Sequence, residues 1–155
     1  MIAKKLSRGE EKKIFDELSK QYGIKFKNKF LWFESGKGRL WILNKNVDVN
    51  EFKRMRIKFL GTYVAFKEKD GIRLTIEGSQ IFGKEARKNV IEVTEKDLHE
   101  WLRGYDLQIK TNFTGYVIIK RGNDFAGCGK ALGNKILNMV PKSRRIMSLR
   151  SFHIS

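Results

Sequence analysis

Cysteine and histidine are nearly absent from this sequence. Its 155 residues include one cysteine, Cys128, and two histidines, His99 and His153. One cysteine cannot form an internal disulfide, and three separated donors do not make a zinc-binding pattern. We therefore expect no disulfide, no metal site and no cofactor, and the cysteine usage fits a cytoplasmic protein.

Long apolar stretches are absent as well. No run approaches the length of a membrane span, and the N-terminal segment, MIAKKLSRGEEKK, lacks the apolar core of a signal peptide. Hydrophobic residues nevertheless make up 41% of the chain, with 11 Phe and 3 Trp. The composition therefore predicts a folded protein with a core and no membrane partner.

Acidic residues are scarce, and they stop before the end of the chain. The sequence has 33 Lys and Arg against 17 Asp and Glu, which gives a net charge of +16. No acidic residue follows Asp124, although the same stretch contains Lys130, Lys135, Lys142, Arg144, Arg145 and Arg150. A balance of this kind usually indicates nucleic acid, and less often an anionic membrane surface or an acidic protein. The basic end predicts a surface that binds a polyanion.

The first half of the chain alternates helix and hairpin signals. Ser7 and Glu10 form a capping-box pattern, and helical apolar spacing then continues to Gly23. Two apolar runs, 30–33 and 40–43, flank the glycine-containing turn 35–38 and predict a hairpin. Trp32 and Trp41 in these runs are either base-stacking platforms or core residues.

A second hairpin and a short helix follow. The Asp-Gly turn at 70–71 predicts a hairpin over residues 61–76, and residues 77–86 predict a helix with Ile81 and Phe82 turned inward. Between the two hairpins, the pattern predicts a short helix that begins at Asn50 and a strand through Phe59 and Leu60. Four cations there form either a basic rim or ordinary surface charge: Lys53, Arg54, Arg56 and Lys58.

The pattern of the second half predicts a small β domain with one helix. A strand at 89–93 precedes a helix capped by Thr94, with Asp97 three residues on, and Gly104 ends that helix. Strands are predicted at 105–109, at 115–120, in the run 126–137 and in the last segment, 146–155. Closing these strands into a barrel leaves few open edges. We place the boundary between the two closely packed domains between residues 86 and 87.

The glycines of GCGKALG (127–133) look like a nucleotide-binding loop but do not fit one. The dinucleotide fingerprint needs its third glycine one residue earlier than Gly133. A phosphate loop needs glycine where the chain has Asp124, and serine or threonine where it has Ala131. We therefore exclude nucleotide binding here and expect these glycines to allow a bulge or a close approach of another segment.

The order of elements and motifs in the second half resembles a PUA domain, a small RNA-binding pseudo-barrel. The similarity rests on the capped helix, Leu102-Arg103-Gly104, the strand GYVII at 115–119 and the segment GCGKALGNKILNMVPKSRRI. That last segment is similar to the C-terminal region of Sun-family (RsmF-like) RNA cytosine methyltransferases and of small archaeal relatives. The first half, through LSRGEEKKIFDELSKQYG and FLGTYVAFKEKDGIRLTIEGSQIFGK, resembles the pre-PUA part of small two-domain ribosome-biogenesis factors.

The resemblance implies an α+β protein. A mixed α/β pre-PUA-like domain, residues 1–86, would pack on a PUA-type pseudo-barrel, residues 87–155. It also implies a non-enzymatic protein that binds structured RNA (rRNA or tRNA) during processing, modification or ribosome biogenesis. A pre-ribosomal particle or an RNA methyltransferase is the implied partner, because the sequence carries no methyltransferase domain of its own.

In this family the RNA lies along the groove between the helix, the loop after it and the neighbouring strands. Carried onto this chain, and taken together with the basic residues of the same domain, the expected RNA-binding residues are Arg103, Lys120, Arg121, Lys130, Lys135, Lys142, Arg144 and Arg145. Tyr116 and Phe125 are either stacking platforms or core residues.

Two other function classes remain open at this level. An RNA-modifying enzyme would use Cys128 or a hidden carboxylate, and it predicts a concave pocket that holds Cys128 beside His99 or an acid. The alternative interpretation of Cys128 is a small buried residue. A protein-interaction module, for example an accessory subunit of an RNA methyltransferase, would use the charge for solubility or for an acidic partner.

Overall fold

The computed structural model describes residues 3–27, 29–45 and 61–146. Several predicted features lie outside these ranges: the helix and strand at 50–60, the basic residues Lys53, Arg54, Arg56 and Lys58, the strand after residue 146, and His153. None of the helices in the described ranges is long and apolar enough to cross a membrane.

The first half contains a five-stranded antiparallel sheet with helices packed against it. The strands follow chain order: β1 (Lys4–Lys5), β2 (Phe30–Ser35), β3 (Arg39–Asn44), β4 (Thr62–Glu68) and β5 (Gly71–Leu74). Both predicted hairpins are confirmed, because β2 pairs with β3 and β4 pairs with β5. A further helix, α2 (Ile76–Phe82), continues as a 3-10 turn (Gly83–Glu85), as the pattern at 77–86 predicted.

The first helix, α1 (Arg8–Tyr22), begins and ends where the sequence indicates. The Ser7 hydroxyl accepts a hydrogen bond from the Glu10 amide, and the Glu10 carboxylate accepts one from the Ser7 amide. Gly23 ends the helix in the left-handed conformation at φ 68°. The predicted capping box is therefore confirmed.

The second half is a curled half-barrel with one helix. Its sheet runs β6 (Val90–Glu92), β7 (Gly115–Arg121), β8 (Asp124–Ala131) and β9 (Ile136–Leu137); β6 is parallel to β7, and the other pairs are antiparallel. Helix α3 (Glu95–Leu102) follows β6 and is capped by the Thr94 hydroxyl. A short 3-10 helix (Lys142–Arg144) comes near the end. The α+β class with a PUA-type pseudo-barrel is confirmed.

Two strand predictions in this half need correction. Residues 105–109 do not form a strand, because only Leu107 makes an isolated bridge, to Ile136, and the Asp106 carboxylate accepts the Asn138 amide instead of extending a ladder. The run 126–137 is not one strand but most of β8, a turn, and β9. A tight turn through Leu132, whose amide bonds to the Lys135 carbonyl, reverses the chain.

Helix α2 joins the two halves because glycines let it approach strands on both sides. A Cβ at Gly78 would lie 1.9 Å from the Val64 carbonyl oxygen in β4, and one at Gly83 would lie 2.5 Å from the Phe125 ring in β8. Ser79 Oγ accepts the Gly127 amide at 2.8 Å. The halves therefore touch through backbone as well as side chains, and the boundary between residues 86 and 87 stays a prediction.

A bulge in β8 separates Ala126 and Cys128, which are two positions apart and would share one face of a regular strand. The β7–β8 register shifts between Ile118 and Lys120, where Gly127 has φ 81°. As a result Ala126 packs in a core inside the half-barrel, whereas Cys128 packs in a core shared with the first half. The predicted role of these glycines in a bulge is confirmed.

Candidate nucleic-acid interface

The basic C-terminal segment packs on the loop that follows α3. Gly104 has φ 99°, and a Cβ there would lie 2.5 Å from Arg145 Cδ. Arg145 Nε donates to the Val140 carbonyl at 3.1 Å, and the Ile146 amide donates to the Leu102 carbonyl at 2.9 Å. The absence of a side chain at Gly104 thus makes room for the arginine, and the loop and the basic end form one surface.

Asn138 holds this loop in position. Its side-chain amide donates to the carbonyls of Trp101 and Tyr105 at 2.8 and 2.9 Å, and its carbonyl accepts the Val140 amide at 2.8 Å. Its own backbone amide donates to Asp106. Three of these four bonds join segments that lie 32 to 37 positions apart in the chain, so sequence reasoning could not assign this role to Asn138.

We call the resulting surface the basic corner. Its exposed aromatic is Tyr105, which is 52% exposed and lies under the Arg103 guanidinium, with 5.3 Å between Arg103 Cζ and the ring centroid. Lys135 lies beside it, with Nζ 3.9 Å from the Asp106 carboxylate. The basic corner consists of Arg103, Tyr105, Lys135, Lys142, Arg144 and Arg145. It contains five of the eight predicted RNA-binding residues and one, Tyr105, that the sequence analysis missed.

The basic corner keeps most of its positive charge. Among the residues that the structure describes, no carboxylate forms an ion pair with Arg103, Lys142 or Arg145. Arg144 is paired with Glu77 of α2, and Lys135 makes only the long contact with Asp106. Three cations of the basic corner are therefore available to an anionic ligand.

Lys130 lies instead at the junction between the halves. Its ammonium group is 2.7 Å from the Asp70 carboxylate in the β4–β5 turn, which also accepts the Tyr116 hydroxyl at 2.8 Å. The hydrogen bonds from Lys130 and Tyr116, in that order, lower the pKa of Asp70. Tyr116 is buried, so its ring is a core residue and not a platform. Lys130 is thus largely neutralised by a partner in the first half.

Lys120 and Arg121 lie at the other end of β7. Lys120 covers the half-buried Phe125 ring, with 5.6 Å between Nζ and the ring centroid, and Arg121 is opposite Asp124. From Tyr116 to Arg121 the strand rises roughly 17 Å, so these two cations are well separated from Lys130. The eight predicted residues therefore do not form one continuous cluster.

A cleft of about 510 Å³ lies between the halves, on the face of the first sheet that carries Trp41. Trp41 pairs with Tyr63 across β3 and β4, and the two ring centroids are 5.3 Å apart. Trp32, in contrast, is 1% exposed and belongs to the core. The side chains that line the cleft include Arg39, Arg73, Glu77, Cys128, Val140 and Arg144. Sequence reasoning could not assemble this cleft, because its walls come from five separate segments.

Cys128 borders the cleft but is poorly suited to act as a nucleophile. The residue is 3% exposed, and burial raises the pKa of its thiol to about 11. The Tyr22 hydroxyl lies 3.5 Å from its Sγ. No histidine of the described ranges lines this cleft, and within those ranges no group of His, Cys, Asp and Glu could hold a metal ion. A neutral buried thiol matches the interpretation of Cys128 as a packing residue.

Comparison with known proteins gives a consistent result. Residues 88–146 match the family described as the methyltransferase RsmF PUA domain. The "ribosomal RNA small subunit methyltransferase F" of Vibrio cholerae is 24% identical over 140 residues, which cover 89% of this chain and 29% of that protein. The proteins of that name from Aeromonas salmonicida and Shewanella oneidensis are 28% and 30% identical, over 57% of this chain and 19% of their own length.

The chain thus spans less than a third of the length of these curated relatives. The matched residues include β6 to β9, α3 and the whole basic corner. The expected resemblance is therefore confirmed: residues 88–146 match the PUA domain of the RsmF type, and the chain is similar to the RsmF methyltransferases over the region they share.

Proposed function

We propose that this chain is an RNA-binding module that acts in the modification or processing of ribosomal RNA in the cytoplasm. The observation that carries the proposal is the basic corner. Arg103 covers the exposed ring of Tyr105, Arg145 packs on the neighbouring Gly104, and Lys142 begins the 3-10 helix that precedes Arg145. The relatives are named as methyltransferases of small-subunit ribosomal RNA, which favours rRNA over tRNA as the ligand.

The chemistry of the basic corner suits a folded RNA with unpaired bases. Cations without ion-pair partners bind phosphates and release counterions, which supplies affinity that depends on salt. An exposed tyrosine under a guanidinium group offers a flat surface on which an unstacked base can pack. Phosphate contacts position the RNA, and base contacts give preference for particular sites.

In this proposal the chain holds RNA and has no catalytic centre of its own. Its one thiol is buried and protonated at neutral pH, and the cleft beside it offers no histidine among the described residues. Methyl transfer would be carried out by a catalytic unit outside these 155 residues. An RNA methyltransferase or a pre-ribosomal particle is the partner that this role requires.

A salt titration tests the proposal. Binding of a structured rRNA fragment is measured by fluorescence anisotropy between 50 and 300 mM salt, with duplex DNA of equal length as competitor. The test variant is Arg103→Gln/Lys142→Gln, and the matched control is Lys12→Gln/Lys20→Gln on the exposed side of α1. Both variants lose two positive charges, and only the first loses them from the basic corner.

We expect binding to survive at 150 mM salt and to prefer RNA. The test variant should bind about tenfold more weakly, with a log–log salt slope shallower by about 1 to 2, because one or two phosphate contacts are lost. The control should match the wild type closely. Equal competition by DNA, or equal weakening of both variants, would show that the charge acts only in bulk, and the interaction-module hypothesis would then replace this one.

A further inference from the structure

The cleft between the halves has stacking surfaces on the face of the first sheet opposite its core. Leu40 and Ile42 of β3 point into the core, so the alternating residues Arg39 and Trp41 lie on the other face. Trp41 Nε1 donates to Ser35 Oγ at 2.8 Å, which fixes the plane of the indole. Its ring and that of Tyr63 form one wall of the cleft.

The opposite wall and the floor come from the second half and from α2. Ile76 begins α2, and Gly127 lies beside it in the bulge of β8, where a Cβ would be only 3.3 Å from Ile76 Cγ1. Met139 and Val140 complete an apolar surface. A pocket of this size, apolar and aromatic inside, is in the range of pockets that hold a small planar ligand.

The charged residues of the cleft are mainly arginines. Arg73 is partly neutralised by Glu68, at 3.1 Å, and Arg144 by Glu77. Arg39 at the mouth forms no ion pair with a carboxylate of the described ranges. Three guanidinium groups against one lining carboxylate favour an anionic ligand whose planar part enters between the walls.

The cleft is continuous with the basic corner. Arg144 and Arg145 are neighbours, yet Arg144 lines the cleft while Arg145 packs on Gly104. The 3-10 helix at 142–144 therefore lies between the two surfaces. A polynucleotide held at the basic corner can follow this short basic segment to the cleft mouth.

We propose that the cleft takes up one unstacked nucleobase of the bound RNA, which packs on Trp41 while Arg39 contacts its phosphate. This proposal rests on the proposed RNA-binding function and adds a second contact site to it. It follows that RNA with an unpaired, accessible base binds more tightly than fully paired RNA, because a duplex cannot place a base between the walls.

The test uses an RNA stem–loop and a blunt RNA duplex of the same number of nucleotides, with the full chain. Trp32 and Trp101 are fully buried, whereas Trp41 is partly exposed, so quenching of tryptophan fluorescence by RNA reports on Trp41. The variants are Trp41→Ala, Trp41→Phe and Arg39→Gln. Lys37→Gln, in the exposed β2–β3 turn two residues from Arg39, is the matched charge control.

We expect the stem–loop, but not the duplex, to quench wild-type fluorescence. Trp41→Ala should bind the stem–loop about tenfold more weakly, since base–aromatic stacking of this kind is worth about 1–3 kcal/mol. Trp41→Phe should keep most of the affinity. Arg39→Gln should weaken binding more than Lys37→Gln does, and this comparison remains valid even if Trp41→Ala fails to fold.

The outcomes separate the two proposals. If the wild type binds RNA at the basic corner without quenching, and Arg39→Gln behaves like Lys37→Gln, the cleft takes no base and the RNA-binding function still stands. If the wild type binds neither RNA better than DNA, the proposed function fails and this inference fails with it.

Discussion

The described residues form two hydrophobic cores, and strand β7 contributes to both. Tyr116 and Ile118 face the shared core, which also includes Tyr22, Trp32 and Phe82 from the first half. Val117 and Ile119 face the barrel core, which is mainly aliphatic and has Trp101 at its centre. The shared core is thus rich in aromatic rings and crosses the predicted domain boundary, whereas the buried residues of the barrel core lie within residues 91–140.

This difference explains why the second half has a continuous apolar strand. A strand buried on both faces has no polar alternation, so GYVIIK is apolar at successive positions. Because one face of β7 belongs to the shared core, the half-barrel cannot bury Tyr116, Ile118 and Cys128 without the first half. We infer that the two cores form and unfold together, as a single cooperative unit.

The largest loss of stability should come from a substitution that fills the space between α2 and β4, next to the shared core. In Gly78→Ala the new methyl group would lie 1.9 Å from the Val64 carbonyl oxygen, so α2 must move away from β4. We expect a loss of about 3 kcal/mol in the free energy of unfolding. Far-UV circular dichroism and tryptophan fluorescence should report one common transition at a lower temperature.

Gly9→Ala in α1 is the matched control for this prediction. Its new methyl group would have no neighbour closer than Ser7 Oγ, at 4.0 Å. Because alanine favours the helix, we expect this variant to be more stable by about 0.5 to 1 kcal/mol. A barrel transition that stays at the wild-type temperature in Gly78→Ala would show that the cores are independent.

A substitution in the barrel core tests whether its loss also destabilises the shared core. Trp101 is fully buried, and its indole Nε1 donates to the Ala126 carbonyl at 2.8 Å. Trp101→Phe leaves that carbonyl without its donor and creates a cavity, at an expected cost of about 2 to 3 kcal/mol. Chemical denaturation followed by circular dichroism measures this loss.

Trp41→Phe is the control: it is the same type of substitution, but Trp41 lines the cleft and belongs to neither core. We expect it to cost less than about 1 kcal/mol. If cooperativity holds, Trp101→Phe lowers the midpoint for signals from both halves, including the helix content of α1. A midpoint shift confined to one probe contradicts the cooperative interpretation.

Local signals in the sequence predicted most of the first half and the helix of the second half. Capping patterns at Ser7 and Thr94, turn glycines and the Asp70-Gly71 dipeptide act between near neighbours, so they determine helix starts and hairpins without help from the rest of the fold. The strand predicted at 105–109 was wrong because Asp106 and Asn138 meet only in the folded chain. The sequence could not predict the close approach of Gly78 to Val64 either, because the two residues are fourteen positions apart.

The sequence predicted which types of residue form the candidate site better than it predicted which of them lie together. Net charge and the basic end indicated a polyanion ligand, and the resemblance indicated the loop at 102–104. The sequence could not show that Asp70 would pair with Lys130, or that Arg39, Arg73 and Arg144 would meet at one cleft. Such convergence depends on how the two halves dock, which no local pattern encodes.

The smallest predicted effect concerns the one titratable thiol, which belongs to the shared core. Burial raises the pKa of Cys128 to about 11 in the folded chain, against about 8.5 for an exposed cysteine. Between these values the folded state keeps a proton that the unfolded state releases. The thiol's contribution to stability is therefore complete below about pH 8.5 and is lost as the pH rises toward 11.

Unfolding by urea at pH 7.5 and pH 10, in moderate salt, measures this contribution. We expect the free energy of unfolding of the wild type to fall by about 1 to 2 kcal/mol more than that of Cys128→Ala between the two pH values. Burial is the largest cause of the raised pKa values of Tyr22 and Tyr116, and because it acts in both proteins its effect largely cancels. Val117→Ala in the barrel core removes no titratable group, so its curve should run parallel to that of the wild type. A parallel curve for Cys128→Ala would instead mean that water from the cleft reaches the thiol and that the shared core is less closed than the barrel core.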